Sequence, residues 1–331
     1  MKRLIYLGYY LRKMNWPMLR RFMRHTRQQH GLSYLRQVID STADSLRYNI
    51  APLEWYQFGF ASLAPEQKAT WAGTGTMYEF QRLANPQVQR EILNDKRAFH
   101  RAYREFCRHG LWSLQDLQQD PRLVDRILAE HKKLVFKDAT GNCGTSVRIL
   151  LTSELKAPNL TRWMAGNGYD MVESFIQQHP DLQALSPSGV NTVRIFTLID
   201  EKGAYRVLGC RLRISVNCAV DNLAAGNLAA PIDEQTGLIN GPGVYSDITR
   251  KPETVHPVTG VSIEGFQIPF WQETLEMIEK ASRLHSQNRS IGWDVAITAE
   301  GPGLIEGNHD WCKLVWQLPV RRGLKSMLES A

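Results

Sequence analysis

The sequence predicts an α+β chain, and three observations carry that prediction. Apolar residues recur at helical spacing through most of residues 1–93. Beyond residue 190 the pattern changes to short β-rich runs joined by Gly, Pro, Asn and Asp turns, which is the pattern of hairpins. Between these regions, amphipathic helices precede a strand, a small-residue loop and a second strand. A chain of 331 residues has room for about two domains and a sizeable core.

Pro17 is suited to open a helix with Leu19, Phe22 and Met23 on one side and Arg20, Arg21, Arg24 and Arg27 on the other; Gly31 ends it. Leu32, Leu35, Val38, Ile39, Thr42 and Leu46 then mark the apolar face of the next helix, with Ser33 as its cap. The aromatic run 55–60 is expected to be a loop packing on a neighbour, and residues 66–83 a helix weakened by Gly73 and Gly75. Asp95 is suited to cap a helix with Phe99, Ala102, Tyr103 and Phe106 inward and Gly110 at its end. Pro121 opens another, burying Leu123, Val124, Ile127 and Leu128.

Strands at 134–137 and 147–151 enclose a loop in which Gly141 and Gly144 would let backbone N–H groups approach a phosphate, with Lys137 adding charge. A plain hairpin turn satisfies the same pattern. A Walker A loop is excluded, because no Gly-Lys-Ser/Thr follows. Further strands are expected at 170–176, 191–198 and 205–214, the last with Arg211 and Arg213 on one face beside a polar loop at 221–227. A hairpin at 232–239 and a turn-rich loop at 256–260 follow. Pro269 opens a helix with Leu275, Ile278, Ala281 and Leu284 inward, and residues 319–328 are expected to form a closing helix.

The stretch 290–308 carries the chemistry. Two apolar, β-rich runs flank Glu300-Gly-Pro-Gly303, so a turn there sets Asp294 across from Glu306, with Asn308 two residues on and on the same face. Opposed carboxylates repel unless a cation lies between them, and hard oxygen donors of this kind suit Mg²⁺. A solvated hairpin with scattered acids is the competing reading, but Trp293, Val295, Ile297, Leu304 and Ile305 make an open surface a poor setting for these strands.

Residues 1–39 hold nine Lys or Arg and no acid, so the net charge of +7 leaves the rest of the chain two charges negative. Three readings of this basic segment stay open: a solvated helix face, peripheral contact with an anionic membrane through residues 1–36, where Tyr6, Tyr9, Tyr10 and Trp16 are interleaved, and nucleic-acid binding. No nucleic-acid module accompanies the charge, so nucleic acid is not an expected partner. Five scattered cysteines form no zinc spacing and fit a reducing cytoplasm. No apolar run reaches the length of a membrane span, and residues 4–11 lack a signal-peptide cleavage pattern.

The ordered phrases Asn191-Thr-Val-Arg194, Val220-Asp221-Asn222, His256-Pro-Val-Thr-Gly260, Ile268-Pro-Phe-Trp271, Ile291-Gly-Trp-Asp294 and Ile305-Glu-Gly-Asn308 resemble the sugar-transfer-associated ATP-grasp family. With Asp95-Lys96, Lys137 and Glu173 they span about residues 94–318. The resemblance implies an ATP-grasp fold, two α+β subdomains gripping ATP. These would be residues 94–190, with the phosphate loop and an adenine-side strand, and 191–331, with the metal site and acceptor loops. Residues 1–93 would form a basic, mostly helical preface. It implies that Lys96 and Lys137, with the loop at Gly141 and Gly144, meet the phosphates, and that Glu173 and the backbone near Ile176 lie at the adenine. It assigns Asp294, Glu306 and Asn308 to Mg²⁺, Arg213 to the reacting acyl-phosphate, and Arg194, Asn222 and His256 to the acceptor or acid site. The activity implied is ATP-dependent joining of a carboxylic acid, an amino acid or relative, to an amine or hydroxyl acceptor in surface-polysaccharide synthesis, with a sugar or lipid-linked sugar as acceptor. The alternative is a non-catalytic, membrane-associated nucleotide-binding protein of the same fold.

Overall fold

The computed structural model describes residues 2–139, 147–219 and 221–329. Six helices come first: α1 (Lys2–Arg12), α2 (Trp16–His30), α3 (Tyr34–Tyr48), α4 (Pro52–Gln57), α5 (Pro65–Ala69) and α6 (Thr74–Ala84). Local chemistry sets their ends. Asn15 accepts from the Met18 amide ahead of Pro17, Gly31 closes α2 in the left-handed conformation, and Ser33 caps α3 through the Arg36 amide. The inward face of α3 is not the expected one. Gln37, Ser41 and Ser45 are buried, while Leu35, Val38 and Ile39 are exposed. Gln37 is drawn inward because its amide donates to the carbonyls of Met23 and Leu32.

The aromatic run at 55–60 begins inside α4 and is not a loop, but its rings pack inward as expected. Trp55, Tyr56, Phe58 and Phe60 join Phe22 and Trp71 in one buried cluster. The expected helix at 66–83 is two helices. Gly73, which begins α6, lies where any Cβ would meet Ile50 at 2.5 Å.

The middle of the chain contributes α7 (Glu91–Asn94), α8 (Lys96–Ala102), β1 (Leu111–Ser113), α9 (Leu114–Gln119), α10 (Pro121–Glu130), β2 (Lys133–Lys137), β3 (Arg148–Leu151), α11 (Ala157–Gly166), β4 (Met171–Ser174) and α12 (Pro180–Leu185). Asp95 caps α8 by accepting from the amides of Arg97 and Ala98. The strands form an antiparallel sheet in the order β1-β4-β2-β3. Leu134, Phe136 and Val172 face the helices, where Leu123, Val124, Ile127, Leu160 and Met164 complete a core. Strand alternation then sends Lys137 and Glu173 to the opposite face.

The second sheet is built from β5 (Thr192–Ile199), β6 (Tyr205–Ile214), β7 (Leu228–Ile232), β8 (Ser290–Thr298) and β9 (Gly301–Asn308), in the antiparallel order β7-β6-β5-β8-β9. One face packs Val193, Ile195, Leu212, Trp293, Val295 and Leu304 against Ile278 and Ala281 of α13 (Trp271–Leu284). Leu284, expected inward, is exposed at the end of α13. The other face carries Phe196 and Leu198 against Trp311 and Trp316, the latter in α14 (Lys313–Gln317). The closing helix expected at 319–328 is a turn followed by a 3₁₀ segment at Lys325–Leu328. Gln317 bonds both Ala72 and the Leu324 amide, and Arg321 has φ 51°, so the backbone folds back on itself there.

Asn85 ties α6 to the C-terminal hairpin. Buried, it donates to the carbonyls of Ser290 (2.8 Å) and His309 (3.0 Å) and accepts from the Ser290 amide (3.1 Å). Asn85→Ala leaves all three backbone groups buried and unpaired, so urea unfolding is expected to show a loss of about 2–4 kcal/mol.

Candidate active site

β8 and β9 pair with Asp294 opposite Glu306 and Gly292 opposite Asn308, the register expected from the sequence. The next pair is Val295 with Leu304, so Ile305 is one extra residue on β9. That bulge reverses the alternation. Leu304 enters the core while Glu306 and Asn308 share the opposite face with Asp294. Gly292 is required beside them, because a Cβ there would meet the Cβ of Trp311 at 2.5 Å.

Neighbouring strands bring two arginines to the same face. Asp294 accepts from Nε of Arg194 through Oδ1, and through Oδ2 from Nη2 of Arg194 (2.8 Å) and Nη1 of Arg213 (2.8 Å). Arg213 also reaches Oδ1 of Asp221 with Nη2 at 2.7 Å. Oδ2 of Asp221 accepts from the Thr192 amide at 3.0 Å and from its hydroxyl. The cluster therefore sets two guanidinium groups against the carboxyls of Asp294, Asp221 and Glu306.

Burial disfavours ionisation of all three acids, and their partners decide how far. Burial opposes the charge on Asp294, but Arg194 and Arg213 outweigh it and hold that carboxyl below its ordinary range. Burial raises Glu306, and the Asp294 charge raises it further. Burial likewise raises Asp221 against the pull of Arg213. The uncompensated charge thus falls on Glu306. Asn308 lies beside it, its amide 3.3 Å from Oε1 of Glu306.

Among the described residues no three His, Cys, Asp or Glu side chains are grouped to hold a metal. The donor set is two carboxyls and one amide, all oxygen, with one negative charge in excess, and it fits a hard divalent cation. Glu306, Asn308 and the remaining lone pair on Oδ1 of Asp294 are the groups that would hold it. Asp294 is engaged chiefly by the two arginines.

The small sheet supplies a second cluster. Lys137 pairs with Glu173, diagonal neighbours on β2 and β4. Burial opposes the charge on Glu173, but Lys137, then His109 and Lys96, draw its carboxyl below the ordinary range. Burial pushes His109 down to about 4, with Glu173 opposing. Burial and the Glu173 charge push the Cys107 thiol up to about 12, so it is no nucleophile. The Lys96 amide donates to the Ala139 carbonyl at 3.3 Å, which fixes the start of α8 to the end of β2. Asn94 bonds His309 at 2.9 Å, which fixes the same helix start to the residue after Asn308. α8 packs on both β1 and β9 and so joins the two clusters. Ile176 is half-buried just beyond β4.

Gly141 and Gly144 lie outside the described residues. Two other expected site residues bond to backbone. His256 is buried: its Nδ1 accepts from the amides of Val258 and Thr259, so Nε2 donates to the Ser215 carbonyl at 2.9 Å. Both ring nitrogens are thus engaged by backbone, and they fix the 256–260 turn to Ser215. Asn222 accepts from the Ala224 amide and caps a short turn. Its neighbour Asp221 is the one that reaches Arg213. In the sequence Asp221 stands in a polar loop and in the phrase Val220-Asp221-Asn222, with no role of its own assigned. His109 gave no sequence signal.

Residues 163–331, half of the chain, match the family described as sugar-transfer associated ATP-grasp. This span includes Glu173, both arginines and the hairpin, and leaves out Lys96 and Lys137. Among curated proteins none matches the sequence. Similar solved structures include D-alanyl-alanine synthetase A from Vibrio cholerae, at 11% identity and TM-score 0.42 over 71% of this chain and 60% of that one. Biotin carboxylase from Campylobacter jejuni is similar at 12% identity and TM-score 0.47 over 75% and 48%. D-alanine–D-alanine ligase from Coxiella burnetii is similar at 11% identity and TM-score 0.38 over 73% and 60%. The chain spans between about half and three-fifths of the length of these structures.

The depressed His109 gives a pH test. A neutral buried histidine stabilises the fold above its ordinary pKa near 6.5, and that stability is lost as pH falls towards about 4. Over that window, urea midpoints of the wild type are expected to fall more steeply than those of His109→Gln. Parallel curves would remove His109 from the account.

Proposed function

Because this chain belongs to the sugar-transfer-associated ATP-grasp family, we propose that it is an ADP-forming ligase. It activates a carboxylic acid, an amino acid or relative, and joins it to an amine or hydroxyl acceptor in surface-polysaccharide synthesis. We place it in the cytoplasm, at the inner membrane face when the acceptor is a lipid-linked sugar. The observation that supports this most is the half-buried carboxyl of Glu306, set beside Asp294 and Asn308 on the face that carries Arg194 and Arg213. A half-buried carboxyl and amide next to two arginines are suited to a polyanion with its divalent cation.

In this reading a carboxylate oxygen attacks the γ-phosphorus of ATP, ADP leaves, and an acyl-phosphate forms. The amine or hydroxyl then attacks the acyl carbon, loses its proton, and displaces phosphate. Lys96 and Lys137 meet the nucleotide phosphates, with Glu173 holding Lys137 in reach and lying, with the Ile176 backbone, at the adenine. Arg213 and Arg194 keep N–H groups beyond those spent on Asp294 and Asp221, and these face the charge that develops at the acyl-phosphate. Glu306, Asn308 and Asp294 would hold Mg²⁺, which when bound would supply neutralisation of the phosphate charge. Asn222 and His256 hold the loops beside the acceptor.

The second reading, a nucleotide-binding protein without turnover, is favoured by the ion pairs that engage Asp294 and Lys137. It predicts nucleotide binding without ADP release. For the ligase, ADP and phosphate should appear only when acid and acceptor are both supplied. Glu306→Gln should lower kcat at least about 100-fold while thermal unfolding stays cooperative. A Glu306→Gln enzyme as active as the wild type would remove the site assignment.

A further inference from the structure

Helices α1 and α3 each expose apolar side chains that no other described residue covers. Leu4, Ile5 and Tyr9 of α1 are 63%, 66% and 57% exposed, and Leu35, Val38 and Ile39 of α3 are 72%, 50% and 54% exposed. On α3 these three form a continuous stripe, while Gln37, Ser41 and Ser45 turn inward. α1 is not loosely placed. Arg3 donates to the carbonyls of Leu46 (2.8 Å) and Arg47 (2.7 Å), holding α1 across the end of α3. Such a patch on a soluble surface marks an interaction site.

Charge identifies the occupant. Within residues 1–39, Arg21 pairs with Asp247 and Arg36 with Asp40, whereas Arg12, Lys13, Arg20 and Arg24 are exposed and make no ion pair with a described acid. A second copy would set two all-cationic segments against each other, which repel. Among the described residues no helix is long and apolar enough to cross a membrane. We propose that the outward face of α1, α2 and α3 docks on an anionic lipid bilayer. The apolar side chains of α1 and α3 enter the headgroup boundary, and the cations of the α1–α2 segment lie on lipid phosphates. Stable surface binding needs two signals, and this face carries both an apolar stripe and a basic patch. The inference deepens the reading of a lipid-linked acceptor and rests on it for its purpose.

Flotation of the full chain with vesicles tests it, using phosphatidylcholine alone and phosphatidylcholine with about one-third phosphatidylglycerol. The wild type should float only with the anionic vesicles, and less at high salt. The variants Leu35→Ser/Val38→Ser/Ile39→Ser and Arg12→Gln/Lys13→Gln/Arg20→Gln/Arg24→Gln should each lower the bound fraction at least about ten-fold. Both should keep wild-type circular dichroism and wild-type ATP turnover on soluble substrates. A wild type that stays with neither vesicle, or variants that bind as well as it does, would overturn the proposal. So would binding replaced by dimerisation or by capture of an acidic protein through the same residues. Variant-sensitive flotation without any ATP turnover would sink the ligase reading and leave the docking surface standing.

Discussion

Three carboxyl groups can share one sheet face only if positive charge is supplied beside them, and among the described residues Arg194 and Arg213 supply it. Arg194 and Arg213 satisfy Asp294 and Asp221, and Glu306 is left with burial and a neighbouring negative charge. Removing one partner from a buried pair costs about 3–5 kcal/mol, so this arrangement is not easily rearranged. Burial and the Asp294 charge raise the Glu306 carboxyl, so negative charge is least favoured there. In use it is the feature that a divalent ion on a polyphosphate would complement.

Much of the architecture serves to bring these groups together. Three different strands carry Arg194, Arg213 and Asp294, and a bulge on a fourth keeps Glu306 on their face while returning Leu304 to the core. The residues around Trp311 and Trp316 close the rest of that face, and Asn85 fastens the hairpin to the N-terminal helices. α8 runs between the two sheets. Its first residue is Lys96, so the helix that joins the halves also presents a cation near Glu173. The N-terminal helices thus brace the β8–β9 hairpin through Asn85 and expose apolar side chains on α1 and α3.

Local chemistry was legible in the sequence where it was decided locally. The caps at Ser33 and Asp95 depend on a side chain reaching an amide two or three residues on, and the Asp294–Glu306 pairing depends on a short turn. What a periodic pattern cannot reveal is which face a distant element will cover. Periodicity marks the apolar stripe of α3 without saying where it points, and it points outward. The role of Asp221 depends on a strand pairing between residues far apart in sequence, as does the burial of His256 against Ser215. The closing helix failed for the same reason: Gln317 answers to Ala72, not to its own neighbours.

The central claim is that the excess charge at Glu306 and Asn308 exists to hold a divalent ion against a nucleotide. Manganese stands in for magnesium and is visible by electron paramagnetic resonance. Titrating Mn²⁺ with and without ADP measures that directly. The account predicts tightly bound Mn²⁺ that appears only with ADP and is absent from Glu306→Gln. Equal binding by the variant, or none by the wild type with ADP present, would contradict it.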